Sequence, residues 1–289
     1  MKNFILAARP KTLLAGVIPP LVAYAFYFKD ASLGNQSIYL LLCVTAALFI
    51  QIATNFFNDV VDFQKGADAK RVGPTRVSAA GLVDIKTVKK WAFTCVTLAV
   101  LCGIPIIMRG GIPFLILGVI SIYLTYGYTG GKVSLAYRGL GELFVFLFFG
   151  LFSVMGSYYL FSLSVSWQSF NLAAIFGLLA TTFICVNNLR DRHTDIEVGK
   201  RTLATRLSAT QYKMLSLATI FIPYLLLIPY ASLKLIYLPL IALLPAAKLS
   251  TIICKKEGAE LNEGLKFSGI HLVLFSLLLS ICFVYEGLL

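Results

Sequence analysis

The chain has 289 residues, of which 58% are hydrophobic and 13% charged, and its mean hydropathy is +0.84. Soluble domains carry about 25% charged residues, so the composition argues against a water-soluble protein, while 22 Phe and 14 Tyr argue against disorder. The net charge of +12 fits either a polyanionic partner or basic loops on one face of a membrane.

In chain order, nine apolar spans are predicted: 13–28, 38–57, 91–108, 112–128, 140–163, 170–186, 214–231, 235–254 and 269–285. A helix needs about 20 apolar residues to cross a bilayer core, and these spans approach or exceed that length. The alternation of a membrane barrel is absent, so the expected elements are helices, which satisfy their own backbone groups in lipid. Arg9, Pro10 and Lys11 interrupt the N-terminal apolar run before it reaches signal-peptide length, so the first span is expected to be a retained helix. All six cysteines fall in apolar spans without paired spacing and read as small buried hydrophobes.

The basic residues are distributed unevenly. Three precede the first span, seven lie between spans two and three, two between four and five, six between six and seven, and three between eight and nine. These 21 of the 25 Lys and Arg share one side; Lys29, Arg109 and Lys234 lie on the other and Lys248 within a span. The asymmetry predicts a cytoplasmic N-terminus and, with nine spans, a C-terminus outside.

Two short stretches hold six of the 13 acids. In the first, Asn55, Asp59 and Asp62 share one helical face, followed by Gly66 and Asp68; in the second, Asn188, Asp191 and Asp195 do the same, followed by Gly199. Like charges stacked on one face repel, and a divalent cation removes the conflict. Carboxylate and amide oxygens suit magnesium, which shares its shell with substrate phosphates. Both stretches continue into an Arg-x3-Thr-Arg-x-Ser pattern, at Arg71, Thr75, Arg76 and Ser78 and again at Arg201, Thr205, Arg206 and Ser208. Four spans separate the copies, so both fall on one face as a parallel repeat. A pair of merely solvated loops leaves that shared spacing unaccounted for. Acidic faces beside Arg and Lys suit a diphosphate, and an apolar tail on it would find its solvent among the helices; the expected ligand is a polyisoprenyl diphosphate.

These residues resemble the UbiA-type intramembrane prenyltransferases, and within them the branch that acts on 1,4-dihydroxy-2-naphthoate in menaquinone synthesis. The resemblance rests on Arg9-Pro-Lys-Thr12, on Asn55 through Asp62 with Lys65-Gly-Ala-Asp68, and on Arg71 through Arg76. It continues through Tyr128-Thr-Gly-Gly131, Gly139-Leu-Gly-Glu142, Asn187 through Asp195, Gly199 through Thr202, and Arg206. Lys132 and Ser134 stand where that branch often has prolines, and Ser208 where it has glycine. The resemblance implies an all-α polytopic fold with nine transmembrane helices, two Asp-rich cytoplasmic motif loops (55–78 and 187–208) and a central cavity. The whole of 1–289 would form one domain in the inner membrane of a bacterium.

It also implies two magnesium ions bridged by the prenyl diphosphate, with Asn55, Asp59 and Asp62 at one and Asn188, Asp191 and Asp195 at the other. Asn58, Lys65, Arg71, Arg76, Lys200, Arg201 and Arg206 are expected to bind the diphosphate or order the loops. Asp68 either reaches the first ion through water or pairs with Lys70 or Arg71. Tyr126, Tyr128, Tyr158 and Tyr159 either shield an allylic cation or belong to an interfacial tyrosine belt. Lys132 or Arg138 would hold the acceptor's carboxylate and Glu142 would take a hydroxyl proton. His193 reads as a solvated loop residue and His271 as a packing residue. No nucleic acid partner is expected. Another aromatic acceptor, 4-hydroxybenzoate or homogentisate, remains open, as does a membrane transporter.

Overall fold

The computed structural model describes residues 2–30, 36–66, 73–131 and 134–289; among these every regular element is helical. A short helix α1 (Lys2–Ala8) leads into α2 (Pro10–Asp30), α3 (Ser37–Gln64), α4 (Ile85–Gly110) and α5 (Ile112–Gly127). The next span is composite: α6 (Gly141–Val145), a π-helical stretch (Phe146–Met155) and α7 (Gly156–Ser162). Then follow α8 (Trp167–Arg190), α9 (Arg192–Glu197), α10 (Leu203–Arg206), α11 (Ala209–Leu225), α12 (Leu243–Lys255) and α13 (Asn262–Gly287).

Eight helical stretches are long and apolar enough to cross a bilayer, and α5, at 16 residues, is a shorter apolar helix. Each of the nine apolar runs therefore has its helix, while eight meet the length of a full crossing. The expected motif loops differ more. Asn55 through Asp62 lie within α3, which continues to Gln64, and Asn187 and Asn188 lie within α8. Polar side chains ended the apolar count at 57, but the helix runs on because Asn55, Asp59 and Asp62 are buried against protein.

Helix α8 is the most enclosed span and packs against α2, α11, α13 and the π-helical stretch. Its crossing with that stretch is close: a Cβ on Gly150 would come within 2.4 Å of the Ala173 carbonyl and 2.7 Å of Gly177 Cα. Only glycine permits such an approach at this density of packing. Helices α4 and α5 lie at the other extreme, with Leu101, Met108 and Val119 more than half exposed, as lipid-facing surfaces are.

Two local cores hold the acidic stretches. Phe56 of α3 packs between Phe4 of α1 and Trp91 of α4, at ring separations of 5.2 and 5.7 Å, and Val77 of the following loop is buried in the same cluster. Around the second stretch, Val186 and Leu189 of α8 pack with Ala204, Tyr212 and Leu249. Ser208 caps α11 by accepting from the Gln211 amide, which accounts for a serine there.

Candidate active site

Two adjoining cavities lie between α2, α3, α5, α6 and α8. The polar one, of about 150 Å³, is lined by Asp62, Asp191 and Asp195, by Asn58, Asn187 and Asn188, and by Arg9, Arg76, Arg190 and Lys200. The other, of about 240 Å³, carries Phe144, Phe148, Phe149 and Phe183 on its walls. Arg9, Asn58, Tyr128 and Asn187 line both, so one space is charged at one end and apolar at the other.

The first acidic stretch is tied to the loop after it. Asp62 Oδ2 accepts from Arg76 Nη2 at 2.6 Å, both side chains being buried, and Asp62 Oδ1 accepts from the Tyr137 hydroxyl at 3.1 Å. Arg76 also donates to the Asn58 carbonyl, and Asn58 Oδ1 accepts from the Thr129 hydroxyl. Burial and then Asp62 hold the Tyr137 phenol well above its usual range, so it remains a donor. Lys65 donates to the Thr129 carbonyl at 2.7 Å and lies 3.9 Å from the Tyr137 ring.

Asp59 departs from the metal-binding expectation. It is fully buried, its two oxygens accept from the Val77 and Ser78 amides at 3.0 Å each, and it lines neither cavity. Asn55 donates to the Ala8 carbonyl at 2.9 Å and to Thr12 Oγ1 at 3.2 Å, and it faces the apolar cavity. Both residues hold backbone in place, and Asp62 alone of the three reaches the polar cavity.

In the second stretch Asp191 is gripped by its neighbour Arg190 through two bonds of 2.7 Å. Asp195 is buried; its Oδ1 lies 3.4 Å from Lys200 Nζ and its Oδ2 has no hydrogen-bond partner among the described residues. Burial pushes the Asp195 carboxyl up to about 6, with Lys200 opposing the shift and Asp191 adding to it. Asn188 donates to Glu142 Oε1 at 2.8 Å, and Tyr212 donates to the same oxygen at 2.5 Å.

Glu142 also departs from its expected place. It is buried behind Asn188 and lines neither cavity. Tyr128 lines both cavities, whereas Tyr126, Tyr158 and Tyr159 line neither: Tyr126 packs on Phe57, Tyr158 on Phe26 and Tyr159 on Phe114. Arg138, Arg201 and Arg206 are exposed and outside the cavity walls. Arg71, Lys132 and Asp68 lie outside the described residues. His193 is exposed, and His271 is buried with Nε2 2.8 Å from the Tyr224 hydroxyl.

Sequence reasoning passed over Arg9 and Asn187 as site residues. Arg9 has a left-handed backbone, φ +53°, forced at the junction where α1 turns into α2; Arg before Pro ahead of an apolar span was the available signal. Asn187 stands four residues before Asp191, on its helical face.

The donor set fits magnesium. It is all hard oxygen, its carboxylates and amides line one cavity, and a buried carboxylate oxygen is left without a partner among the described residues. Among the described residues no three acid, His or Cys side chains form a cage by themselves. That too suits an ion held by one or two carboxylates together with substrate phosphates.

The model of the UbiA prenyltransferase family matches residues 16–257. The 1,4-dihydroxy-2-naphthoate octaprenyltransferase of Haemophilus influenzae is 34% identical over 209 residues, covering 70% of this chain and 68% of its own. The enzyme of that name from Mycobacterium tuberculosis is 34% identical over 215 residues, covering 74% and 72%. Among solved structures, a UbiA homologue from Aeropyrum pernix aligns with a TM-score of 0.68 at 14% identity, over 92% of this chain and 96% of that one. A homologue from Archaeoglobus fulgidus bound to GPP and Mg2+ aligns at 0.67 and 16%, over 98% and 99%. The two structures share the fold with this chain.

Proposed function

The chain belongs to the UbiA prenyltransferase family, and from that premise we propose that it transfers a polyisoprenyl group from a prenyl diphosphate to 1,4-dihydroxy-2-naphthoate. Diphosphate and carbon dioxide leave and a demethylmenaquinol is formed. The observation that carries this reading is the charged cavity opening into an apolar one through shared walls. The relatives' names supply the acceptor.

The diphosphate is anionic and would lie in the polar cavity, where Arg9, Arg76 and Lys200 present cations. Magnesium, when bound through Asp195, Asp191 and Asp62 with Asn58 and Asn188 nearby, would neutralise charge that develops on the departing diphosphate. The allylic C–O bond breaks and its electron pair leaves with the diphosphate. The phenylalanines of the apolar cavity exclude water from the cation left behind, and Tyr128, between the cavities, offers it a ring face. The ring carbon bearing the carboxylate supplies the electrons of the new C–C bond, and that carboxylate departs as carbon dioxide. No net proton is released, so the exchange balances with Glu142 in a positioning role behind Asn188.

The same reading takes the molecule as one domain of two parallel halves. Thr12 and Glu142 stand 130 residues apart, and each is bonded to the Asn of its acidic stretch, Asn55 and Asn188. Asp59 and Arg192 stand 133 apart, and each closes the loop after it: Asp59 through the Val77 and Ser78 amides, Arg192 through the Ala204 and Leu207 carbonyls at 2.8 and 3.3 Å. The basic asymmetry supports a cytoplasmic N-terminus in a bacterial inner membrane.

The test is purified protein in lipid with magnesium, a series of prenyl diphosphates and a panel of aromatic acids. Equal release of diphosphate and carbon dioxide with the naphthoate is the expected result. Turnover confined to 4-hydroxybenzoate would move the acceptor, and no diphosphate release with any acid would refute the enzyme.

A further inference from the structure

The two acidic stretches are not equally ready for a metal ion. In the first, every carboxylate oxygen of the described residues is engaged: Asp59 by two loop amides, Asp62 by Arg76 and Tyr137. In the second, Asp191 is paired with Arg190 through two bonds of 2.7 Å. Asp195, which lines the polar cavity, has its Oδ2 buried with no hydrogen-bond partner among the described residues, while Lys200 lies 3.4 Å from the other oxygen. A buried carboxylate oxygen without a donor is costly and is the feature a cation relieves. Asp62 carries no such cost, because the Arg76 guanidinium already neutralises it in a buried pair.

We propose that Arg76 is a resident counter-ion standing where a metal ion would otherwise sit against Asp62, so that metal binding is ordered. One ion enters at Asp195 in the substrate-free protein. The second enters beside Asp62 only when the prenyl diphosphate draws the guanidinium away. The exchange is favourable because Arg76 trades one carboxylate for a diphosphate, its forked N–H groups matching either. Asp62, released, meets an ion whose shell the same phosphates help to complete. Arg76 thus couples arrival of the substrate to assembly of the charge that stabilises its leaving group. Asp62 stays closed to metal otherwise, held by Arg76 on the loop that Asp59 anchors. The inference rests on the metal-dependent prenyl transfer proposed above.

Manganese, a paramagnetic stand-in for magnesium, can be counted by the loss of its free-ion resonance signal. Wild-type protein in lipid should bind one ion, and two once a non-cleavable prenyl thiodiphosphate is added. Asp195→Asn should weaken the substrate-free site at least tenfold, Asp62→Asn should leave it in place, and Arg76→Gln should bind two ions without any diphosphate. Two ions in the substrate-free wild type, no ion until the diphosphate is present, or one site lost with Asp62→Asn and kept in Asp195→Asn would each overturn the order. Thermal unfolding of each variant shows whether it is folded, and the wild-type result stands without the variants. Turnover of a cleavable prenyl diphosphate, measured on the same wild-type sample, separates the two failures: turnover with two ions bound from the start sinks the order alone. No turnover and no bound ion would sink both.

Discussion

Asp59 and Asp195 belong to matching acidic stretches, yet burial acts on them in opposite ways. Asp59 gives both oxygens to loop amides, so Asp59→Asn keeps one acceptor and leaves the other buried N–H unmatched, at a cost of about 1–3 kcal/mol. Thermal unfolding in detergent should fall for that variant and stay level or rise for Asp195→Asn, whose wild-type carboxylate has an oxygen without a partner among the described residues. Equal losses would contradict the division of roles. The Asp195 carboxyl, raised to about 6, binds its proton more tightly in the folded than in the unfolded chain. Through this group alone the metal-free protein therefore gains stability as pH falls through 6 towards the usual carboxylate value near 4. A metal ion competes with that proton, so affinity at pH 5 should be about tenfold below that at pH 7.5, by titration at fixed ionic strength. Spacing along the chain groups Asn188, Asp191 and Asp195 on one helical face and places Asp62 on a face of its own helix, and packing then brings the two faces to one cavity. It could not show that Asp59 turns to the loop, since the partners are backbone amides, and no side chain in the sequence marks them.

At the level of single elements, hydropathy located each membrane-length helix and α5 but not the short α1, α9 and α10. The misreadings of the spans came where burial is against protein instead of lipid. Helix α3 runs seven residues past the apolar run that ends at Phe57, because loop amides and Arg76 satisfy its polar face. The π-helical stretch had no counterpart in the apolar pattern, since eight of the ten residues from Phe146 to Met155 are apolar and fit either helical pitch. What the sequence did carry there is glycine: Gly150 of the stretch meets Gly177 of α8 where a side chain would overlap backbone. Gly150→Ala should therefore push the two helices apart and cost about 1–3 kcal/mol of stability. Gly118→Ala, with nothing within 4 Å of the added carbon, serves as the control and should cost nothing. A shared thermal loss in both variants would mean that the crossing does not depend on close approach. Because the π-helical stretch also carries Phe148 and Phe149 of the apolar cavity, Gly150→Ala should raise KM for the prenyl diphosphate as well.

For the molecule as a whole, the geometry of the site bears on the short helix α5. Sixteen residues of helix measure about 24 Å, against a hydrocarbon core of about 30 Å, so length alone leaves its crossing open. The polar cavity decides the matter by parity. It joins the end of α3 at Asp62 to the end of α8 at Asn188 and Asp191, so these two ends lie on one face. Between them run α4, α5, the composite α6–α7 span and α8. If α4, the composite span and α8 cross and α5 does not, three crossings separate the ends and place them on opposite faces. Four crossings return the chain to the side it left, so α5 is predicted to span if the other three do, with local thinning of the bilayer making up its length. In a cysteine-free background, Ile112→Cys, before α5 turns inward and 72% exposed, should react with an impermeant maleimide from outside intact cells. Arg138→Cys, exposed beyond the other end, should react only after the membrane is opened. Labelling of both from one side would mean that α5 does not cross. The shared cavity would then require another of the intervening spans to fail to cross as well.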